Sequence, residues 1–329
     1  MSELYPWQQQ DYQNLLQPFL QGRLSHALIL SGAKGIGKHQ LAETMAHRLL
    51  CDSPLESELA CGQCHSCTML KAKTHPDLYL LEPEEKSQVI KIEQIRELIS
   101  KVMLSSYSGK FKVVLIDPAE SMTMAAANSL LKTLEEPPDK TLFILVVADV
   151  SKLPITIRSR CQQINIATPA LQHANSWLSE QLDTTISTEI LLSLSAGAPL
   201  TAFALSNEAQ LANRDKMLGE WCELVNGSLD PVQIASKWVK PEPNLPINWI
   251  QGWVIDMIYL VTDFQKTLTN PDKKANLLAV AQRFDISQLF KLLELVEESK
   301  NLLTTQVNAQ SLLESILIYW SHLPSKNKQ

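Results

Sequence analysis

Four cysteine residues in the first third of the chain have a spacing that suits a metal ion. Cys61, Cys64 and Cys67 are separated by pairs of other residues, and Cys51 stands at the end of the preceding predicted helix. Thiolates at this spacing select zinc, which they hold in a tetrahedron. Because four thiolate ligands leave no coordination position for water, the sequence predicts a structural zinc site and not a catalytic one.

Two other interpretations of these cysteines stay open. They could be buried free thiols without a metal, or a histidine could replace one of them as a ligand. The nearby histidines are His47, His65 and His75. Disulfides are disfavoured, because the N-terminal sequence lacks the features of a secretion signal and a cytoplasmic compartment keeps thiols reduced.

A second candidate site is a glycine-rich loop that could bind phosphate. The chain from Gly32 to Lys38, with further glycines at Gly35 and Gly37, matches the pattern GxxxxGK between a predicted strand and a predicted helix. In such loops backbone N–H groups at a helix N-terminus hold the phosphates. The next residue should be Ser or Thr, whose hydroxyl binds Mg²⁺. Here it is His39, and imidazole is a poor ligand for a hard cation.

Asp117 follows an apolar run at the position where P-loop ATPases place an acid that organises Mg²⁺. A glutamate usually comes next and orients the attacking water. Here the next residue is Pro118, which can neither accept a proton nor position water. Asp117 also has a structural interpretation, as the N-cap of a helix with Glu120 as its capping-box partner. We therefore expect no ATP hydrolysis by this chain, while weak phosphate binding through Lys38 stays open.

Two arginines, Arg158 and Arg160, stand close together just before a predicted strand. On chemistry alone they are ambiguous, because neighbouring arginines are most often surface charges. Cys161, which follows them, is remote in sequence from the other cysteines and is expected to belong to the core.

These residues require a scaffold, and the first half of the chain alternates strand-like and helix-like segments. This alternation predicts an α/β fold with a parallel sheet covered by helices. The loops after the strands should lie at one edge of the sheet, where open α/β sheets bind ligands. The predicted strands comprise residues 27–30, 113–116, 142–147 and 163–166.

The second half has a helical pattern throughout. We predict three parts: an α/β domain over residues 1–166, a small helical domain over 167–207 and an all-helical domain over 208–329. Five of the seven tryptophans lie in the last part, where they could pack in the core or anchor a subunit interface. The predicted helices there include residues 247–268, 286–303 and 311–323.

Composition narrows the possible functions. The chain has 329 residues, with 29 basic and 35 acidic side chains and a net charge of -6. An acidic protein does not bind the phosphate backbone of DNA strongly by itself. The charge therefore disfavours a zinc-dependent protein that binds nucleic acid without partners. No apolar run reaches the roughly 20 residues of a membrane span, so we expect a cytoplasmic protein.

The segment 128–138 and the motif Ser159-Arg160-Cys161 together resemble the clamp-loader subunits of the AAA+ class. Residues 24–27 are similar to them as well, and four cysteines after the first helix of the fold resemble the zinc module of bacterial members. This resemblance implies an AAA+ module, a helical lid and a helical collar that assembles into an open ring of five subunits. That ring opens a sliding clamp and places it on primed DNA.

Within this class the chain resembles the non-hydrolysing delta-prime family more than the ATP-hydrolysing gamma or tau subunits. His39 and Pro118 are two departures from the motor pattern, and Ala148 and Leu200 replace a γ-phosphate sensor and a lid arginine. The resemblance implies gamma or tau and delta subunits as partners, and it implies that Arg160 completes the ATP site of a neighbour. The alternative is a self-sufficient gamma-type ATPase.

Overall fold

The computed structural model describes residues 4–84, 87–107, 109–182, 187–240, 244–264, 266–303 and 307–324. The chain forms two compact units, Met1–Trp177 and Leu178–Gln329. All strands of the described residues belong to the first unit. Its elements are α1 (Gln9–Leu20), β1 (Ala27–Ser31), α2 (Lys38–Leu50), α3 (His65–Lys71), β2 (Leu78–Leu81), α4 (Ile92–Val102), β3 (Lys112–Ile116), α5 (Met124–Glu135), β4 (Thr141–Val147), α6 (Ile155–Arg158), β5 (Gln162–Asn165) and α7 (Leu171–Gln181), within which the boundary falls.

The five strands form one parallel sheet in the order β2-β3-β4-β1-β5. Every pair of neighbours is parallel, so all the strands end at the same edge. The α/β fold predicted from the sequence is confirmed, and the four predicted strands agree with the observed ones to within one residue at each end. The sequence analysis missed β2, a short apolar segment at the edge of the sheet.

The sheet is buried on both faces, which is why its central strands are continuous apolar runs. All residues of β1, β3 and β4 are buried. Alternate side chains of these strands, such as Ile29, Val114 and Phe143, pack in one cluster with residues of α4 and α5 such as Leu98 and Leu130. The helix α2 contacts β3 and β4.

The second unit is all-helical in its described residues. Its main core combines residues of α10 to α15 around three fully buried tryptophans, Trp221, Trp253 and Trp320. The rings of Trp221 and Trp320 stack with centroids 4.4 Å apart. Its helices are α8 (Thr188–Leu194), α9 (Pro199–Leu205), α10 (Glu208–Leu224), α11 (Pro231–Trp238), α12 (Asn244–Thr262), α13 (Lys274–Ala281), α14 (Ile286–Leu302) and α15 (Ala309–Ser321).

The structure decides two predictions for this unit, the role of its tryptophans and the bounds of one helix. The core role of the tryptophans is confirmed for the three rings above and for Trp238, which is 5% exposed. The helix predicted over residues 247–268 was placed too far along the chain, since α12 begins at Asn244 and ends at Thr262.

No single helix within the described ranges has both the length and the apolar character needed to cross a membrane. The pair Thr188–Leu194 and Pro199–Leu205 meets the length and composition criteria jointly, but it is bent by 110°.

Candidate functional site

The glycine-rich loop connects β1 to α2 at the carboxyl edge of the sheet, as predicted. Gly32, Gly35 and Gly37 all have positive φ angles, of 150°, 82° and 90°. Gly37 is the N-cap of α2, and a Cβ atom there would lie 2.7 Å from the ring of Tyr5. A side chain at this position would therefore force the loop or its neighbour to move.

Lys38 is folded back onto its own loop. Its Nζ donates hydrogen bonds to the backbone oxygens of Gly32, at 2.7 Å, and Ala33, at 2.8 Å. The side chain is buried, and burial lowers the pKa of Lys38, against the opposing effect of Asp117 and Glu120. The ammonium group that would bind phosphate is thus satisfied by the loop itself.

His39 and Asp117 meet across the edge of the sheet. Nδ1 of His39 lies 2.7 Å from Oδ2 of Asp117, because β1 and β3 flank β4 and both loops emerge at the same edge. This hydrogen bond raises the pKa of His39, although burial acts in the opposite direction. A magnesium ion here would need a hydroxyl at position 39 and the carboxylate of Asp117. The hydroxyl is missing and the carboxylate is paired.

The capping role predicted for Asp117 is wrong. The short 3₁₀ helix that follows is Ala119–Ser121, its N-cap is Pro118 in extended backbone, and no side chain caps it. Glu120 does not reach back along the chain either, since its Oε1 accepts a hydrogen bond from the backbone N–H of Ala148 at 2.8 Å. The acidic side chains connect neighbouring loops of the sheet edge instead of capping a helix.

The N-terminal segment braces the loop, a feature that the sequence analysis missed. Trp7 Nε1 donates to the oxygen of Ile36 at 2.9 Å, and Gln8 Nε2 donates to the oxygen of Gly37 at 2.7 Å. The ring of Trp7 stacks on Tyr5 with centroids 4.9 Å apart. No spacing rule joins these residues to the loop 28 or 29 positions later, although two aromatic residues separated only by Pro6 are themselves a signal.

The four predicted cysteines come together, and their sulfur atoms all lie within 4.8 Å of one another. The Sγ separations are 3.6 Å for Cys67 and Cys51, 3.9 Å for Cys51 and Cys64, and 3.9 Å for Cys61 and Cys67. Zinc bound tetrahedrally at about 2.3 Å from each sulfur requires edges of about 3.8 Å. The donor set and its spacing therefore fit zinc. The group consists of the four predicted cysteines, and no histidine among the described residues belongs to it.

Local structure affects the four thiols differently. Cys64 is the N-cap of α3, and its Sγ accepts the N–H of Cys67 at 3.4 Å. The backbone N–H groups of Gln63 and then Cys64 lower the pKa of Cys61 to about 6, whereas burial raises the pKa of Cys51. Cys51 and Cys67 are buried, whereas Cys61 and Cys64 are half-buried. A divalent cation bound here would favour the thiolate form of all four, because metal binding requires deprotonated cysteines.

Arg160 lies on the surface between α6 and β5, where it makes an ion pair with Glu135. Its Nε donates to Glu135 Oε1 at 2.8 Å, and its Nη2 donates to the same oxygen. Arg158 is different, since its Nε is buried and has no hydrogen-bond partner among the residues described. Cys161 is buried in the core of the first unit, as predicted, and burial raises its pKa to about 12.

Comparisons with known proteins agree with these motifs. Residues 7–170 match the family described as DNA polymerase III, delta subunit, and residues 208–322 match its C-terminal counterpart. The chain is 34% identical over 331 residues to the DNA polymerase III subunit delta' of Pseudomonas aeruginosa, covering 98% of this chain and 99% of that protein. The chain belongs to the delta-prime subunit family of DNA polymerase III. The protein is thus a clamp-loader subunit, and the resemblance inferred from its motifs is confirmed.

Other delta-prime subunits align over shorter or similar lengths. The Yersinia pestis protein is 32% identical over 327 residues, covering 96% of this chain and 95% of that protein. The Escherichia coli protein is 39% identical over 204 residues, covering 61% of this chain and 60% of that protein. The tau subunit of Escherichia coli is 37% identical over 145 residues, covering 44% of this chain but only 22% of that protein.

Proposed function

We propose that this delta-prime family member does not hydrolyse ATP and instead contributes Arg160 to the ATP site of a neighbouring motor subunit. The observation that carries this proposal is the pair of His39 and Asp117, 2.7 Å apart. It occupies the two positions that a P-loop ATPase uses to hold Mg²⁺. Without the metal, the chain lacks the ion that neutralises the charge developing on the γ-phosphate.

Three features at this edge of the sheet all disfavour ATP hydrolysis by the chain. Lys38 binds the backbone oxygens of Gly32 and Ala33, the imidazole of His39 binds the magnesium-site acid, and Pro118 replaces the water-orienting glutamate. A bound nucleotide would have to displace the contacts of Lys38 and His39. Even then, no residue at position 118 could orient the attacking water. The loop is therefore a structural element that joins β1 to α2.

Arg160 has the chemistry for a role in trans. Its guanidinium stays charged at any physiological pH and can bind two phosphate oxygens at once. Its side chain is 32% exposed, so it is accessible to a partner. Placed beside the γ-phosphate of a neighbouring site, it would stabilise the charge that builds on the transferred group.

The protein would act within an assembly. We infer that it joins gamma or tau and delta subunits in a ring that loads the sliding clamp on primed DNA. In this assembly residues 1–166 would form the AAA+ module, 167–207 the lid and 208–329 the collar. We further infer that Cys51, Cys61, Cys64 and Cys67 hold zinc, which would fix the loop between α2 and α3 and would take no part in the reaction.

Two measurements test this proposal. The purified chain should show no magnesium-dependent ATP turnover above background, whereas the gamma-type alternative requires clear turnover. Mixed with candidate gamma and delta subunits, the chain should enter a stoichiometric complex that elutes as one species in size-exclusion chromatography. Turnover by the pure chain, or failure to enter any such complex, would contradict the proposal.

A further inference from the structure

The two motifs that carry the family resemblance meet in the structure. Glu135 belongs to the segment 128–138, Arg160 belongs to the Ser-Arg-Cys motif, and they form an ion pair although they lie 25 positions apart. Arg160 also donates from Nη1 to the backbone oxygen of Thr156, at 2.9 Å, and to Oγ of Ser159, at 3.3 Å. The arginine is thus held by its own chain on several sides.

These contacts leave the guanidinium little free capacity. An arginine side chain carries five N–H groups. Nε and Nη2 each donate to Glu135, and Nη1 donates to both Thr156 and Ser159, which makes four contacts. One N–H group of the five remains. Binding two phosphate oxygens together requires two N–H groups, so Arg160 must give up at least one internal partner before it can act on a neighbour.

Glu135 is the partner whose position calls for an explanation. It is the last residue of α5, where the negative end of the helix dipole disfavours a carboxylate. The side chain is 49% exposed, and the ion pair with Arg160 is open to solvent on both sides. Such a pair is weak and easily exchanged. A nucleotide phosphate carries more negative charge than a single carboxylate and can therefore compete for the same guanidinium.

We propose that Glu135 is a positioning residue that retains Arg160 on its own subunit until the γ-phosphate of a neighbouring subunit displaces its carboxylate. This inference rests on the proposed role of Arg160 in trans. In this inference Glu135, from the segment 128–138, has a function that depends on Arg160 of the Ser-Arg-Cys motif. The ion pair would keep Arg160 away from the ATP site of a neighbouring subunit when the γ-phosphate there is distant or absent.

The test uses the reconstituted complex with its gamma-type and delta partners, and it measures steady-state ATPase activity over a range of ATP concentrations. Glu135→Gln keeps the size of the side chain and removes its charge. It should raise kcat/KM for ATP by about two- to fivefold, the change that corresponds to an exposed ion pair. Glu135→Asp keeps the charge and should stay close to the wild-type value.

Two controls make the result specific. Glu136→Gln makes the same charge change at the next residue, which is exposed and has no ion pair among the described residues, and it should leave kcat/KM unchanged. In a chain that already carries Arg160→Ala, Glu135→Gln should have no effect, because the residue through which it acts is gone. A general structural role of Glu135 would still appear in that background.

The outcomes separate this inference from the function on which it rests. If Arg160→Ala lowers kcat/KM but Glu135→Gln leaves it unchanged or lowers it, retention is wrong and the role of Arg160 stands. If Arg160→Ala itself has no effect on kcat/KM, the proposed function is wrong, and the inference about Glu135 is wrong with it.

Discussion

Nδ1 of His39 lies 2.7 Å from Oδ2 of Asp117, although the two residues are 78 positions apart in the sequence. The contact joins the first turn of α2 to the end of β3 and lies at the carboxyl edge of the sheet. The two residues stand at the positions that a P-loop ATPase uses to hold Mg²⁺, and here their side chains bind each other. The same fold can therefore keep the architecture of a nucleotide loop while its contacts serve the structure of the chain.

The pair should make stability depend on pH. The pKa of His39 is raised by Asp117, so its contribution is fully present below the ordinary histidine pKa of about 6.5 and is lost as the pH rises through the raised value. Because the imidazole is 40% exposed, the contribution should not exceed about 1 kcal/mol. Urea unfolding at pH 6 and pH 9 should show His39→Gln less stable than wild type only at the lower pH.

The exposed His173 provides a control for this experiment. His173→Gln should leave the unfolding free energy equal to that of wild type at both pH values. A deficit of His39→Gln that is the same at pH 6 and pH 9 would show that the charge of the imidazole does not matter.

The cysteine group should contain one zinc ion per chain. Cys64→Ser removes one thiolate ligand and should release the metal and unfold the segment between α2 and α3, since structural zinc contributes on the order of 10 kcal/mol to local folding. Atomic emission spectroscopy gives the metal content, and limited proteolysis reports the local unfolding. Cys222→Ser, outside the group, should keep the zinc. Protein purified without chelators that contains no zinc would eliminate the site.

Lys38 should be dispensable for the work of the complex. Its Nζ binds oxygens of its own loop, so Lys38→Ala removes loop contacts and no catalytic group. We expect reconstituted complexes with this variant to load clamps at the wild-type rate, while the isolated chain melts at a lower temperature. A loss of clamp loading as severe as that produced by the same change in a motor subunit would mean that this loop binds a nucleotide that matters.

The second unit should depend strongly on its tryptophan stack. Trp320 is fully buried against Trp221, and its Nε1 donates to the backbone oxygen of Trp221 at 2.9 Å. Trp320→Ala should lower the unfolding free energy by roughly 3 to 5 kcal/mol. Ile318→Ala, on the exposed side of the same helix, should cost much less. Equal losses in chemical denaturation would argue against the stack as the centre of this core.

The features predicted correctly from the sequence are those that local spacing determines. The four clustered cysteines lie within 17 consecutive residues, and the glycine loop is a continuous segment between a strand and a helix. Apolar runs identified four of the five strands of the sheet for the same reason. Each of these patterns lies within one short continuous segment of the chain.

The features that the sequence did not reveal depend on which loops the sheet brings together. Pro118 and Glu120 after Asp117 favour a helix cap, one of the two interpretations of Asp117, but the fold places His39 within reach and the side chain bonds there instead. The pair of Glu135 and Arg160 depends in the same way on the approach of α5 to the segment before β5. No periodicity or motif spacing encodes such contacts.

The central claim, that the chain completes a neighbour's ATP site without hydrolysing ATP itself, is tested most directly by Arg160→Ala in the reconstituted complex. The variant should fold and assemble normally, because an exposed ion pair contributes little stability. Clamp-stimulated ATPase and clamp loading should fall at limiting ATP, but not vanish, since other interfaces keep their own arginines. Arg158→Ala should have a smaller effect. Clamp loading by Arg160→Ala complexes at the wild-type rate under limiting ATP would contradict the claim.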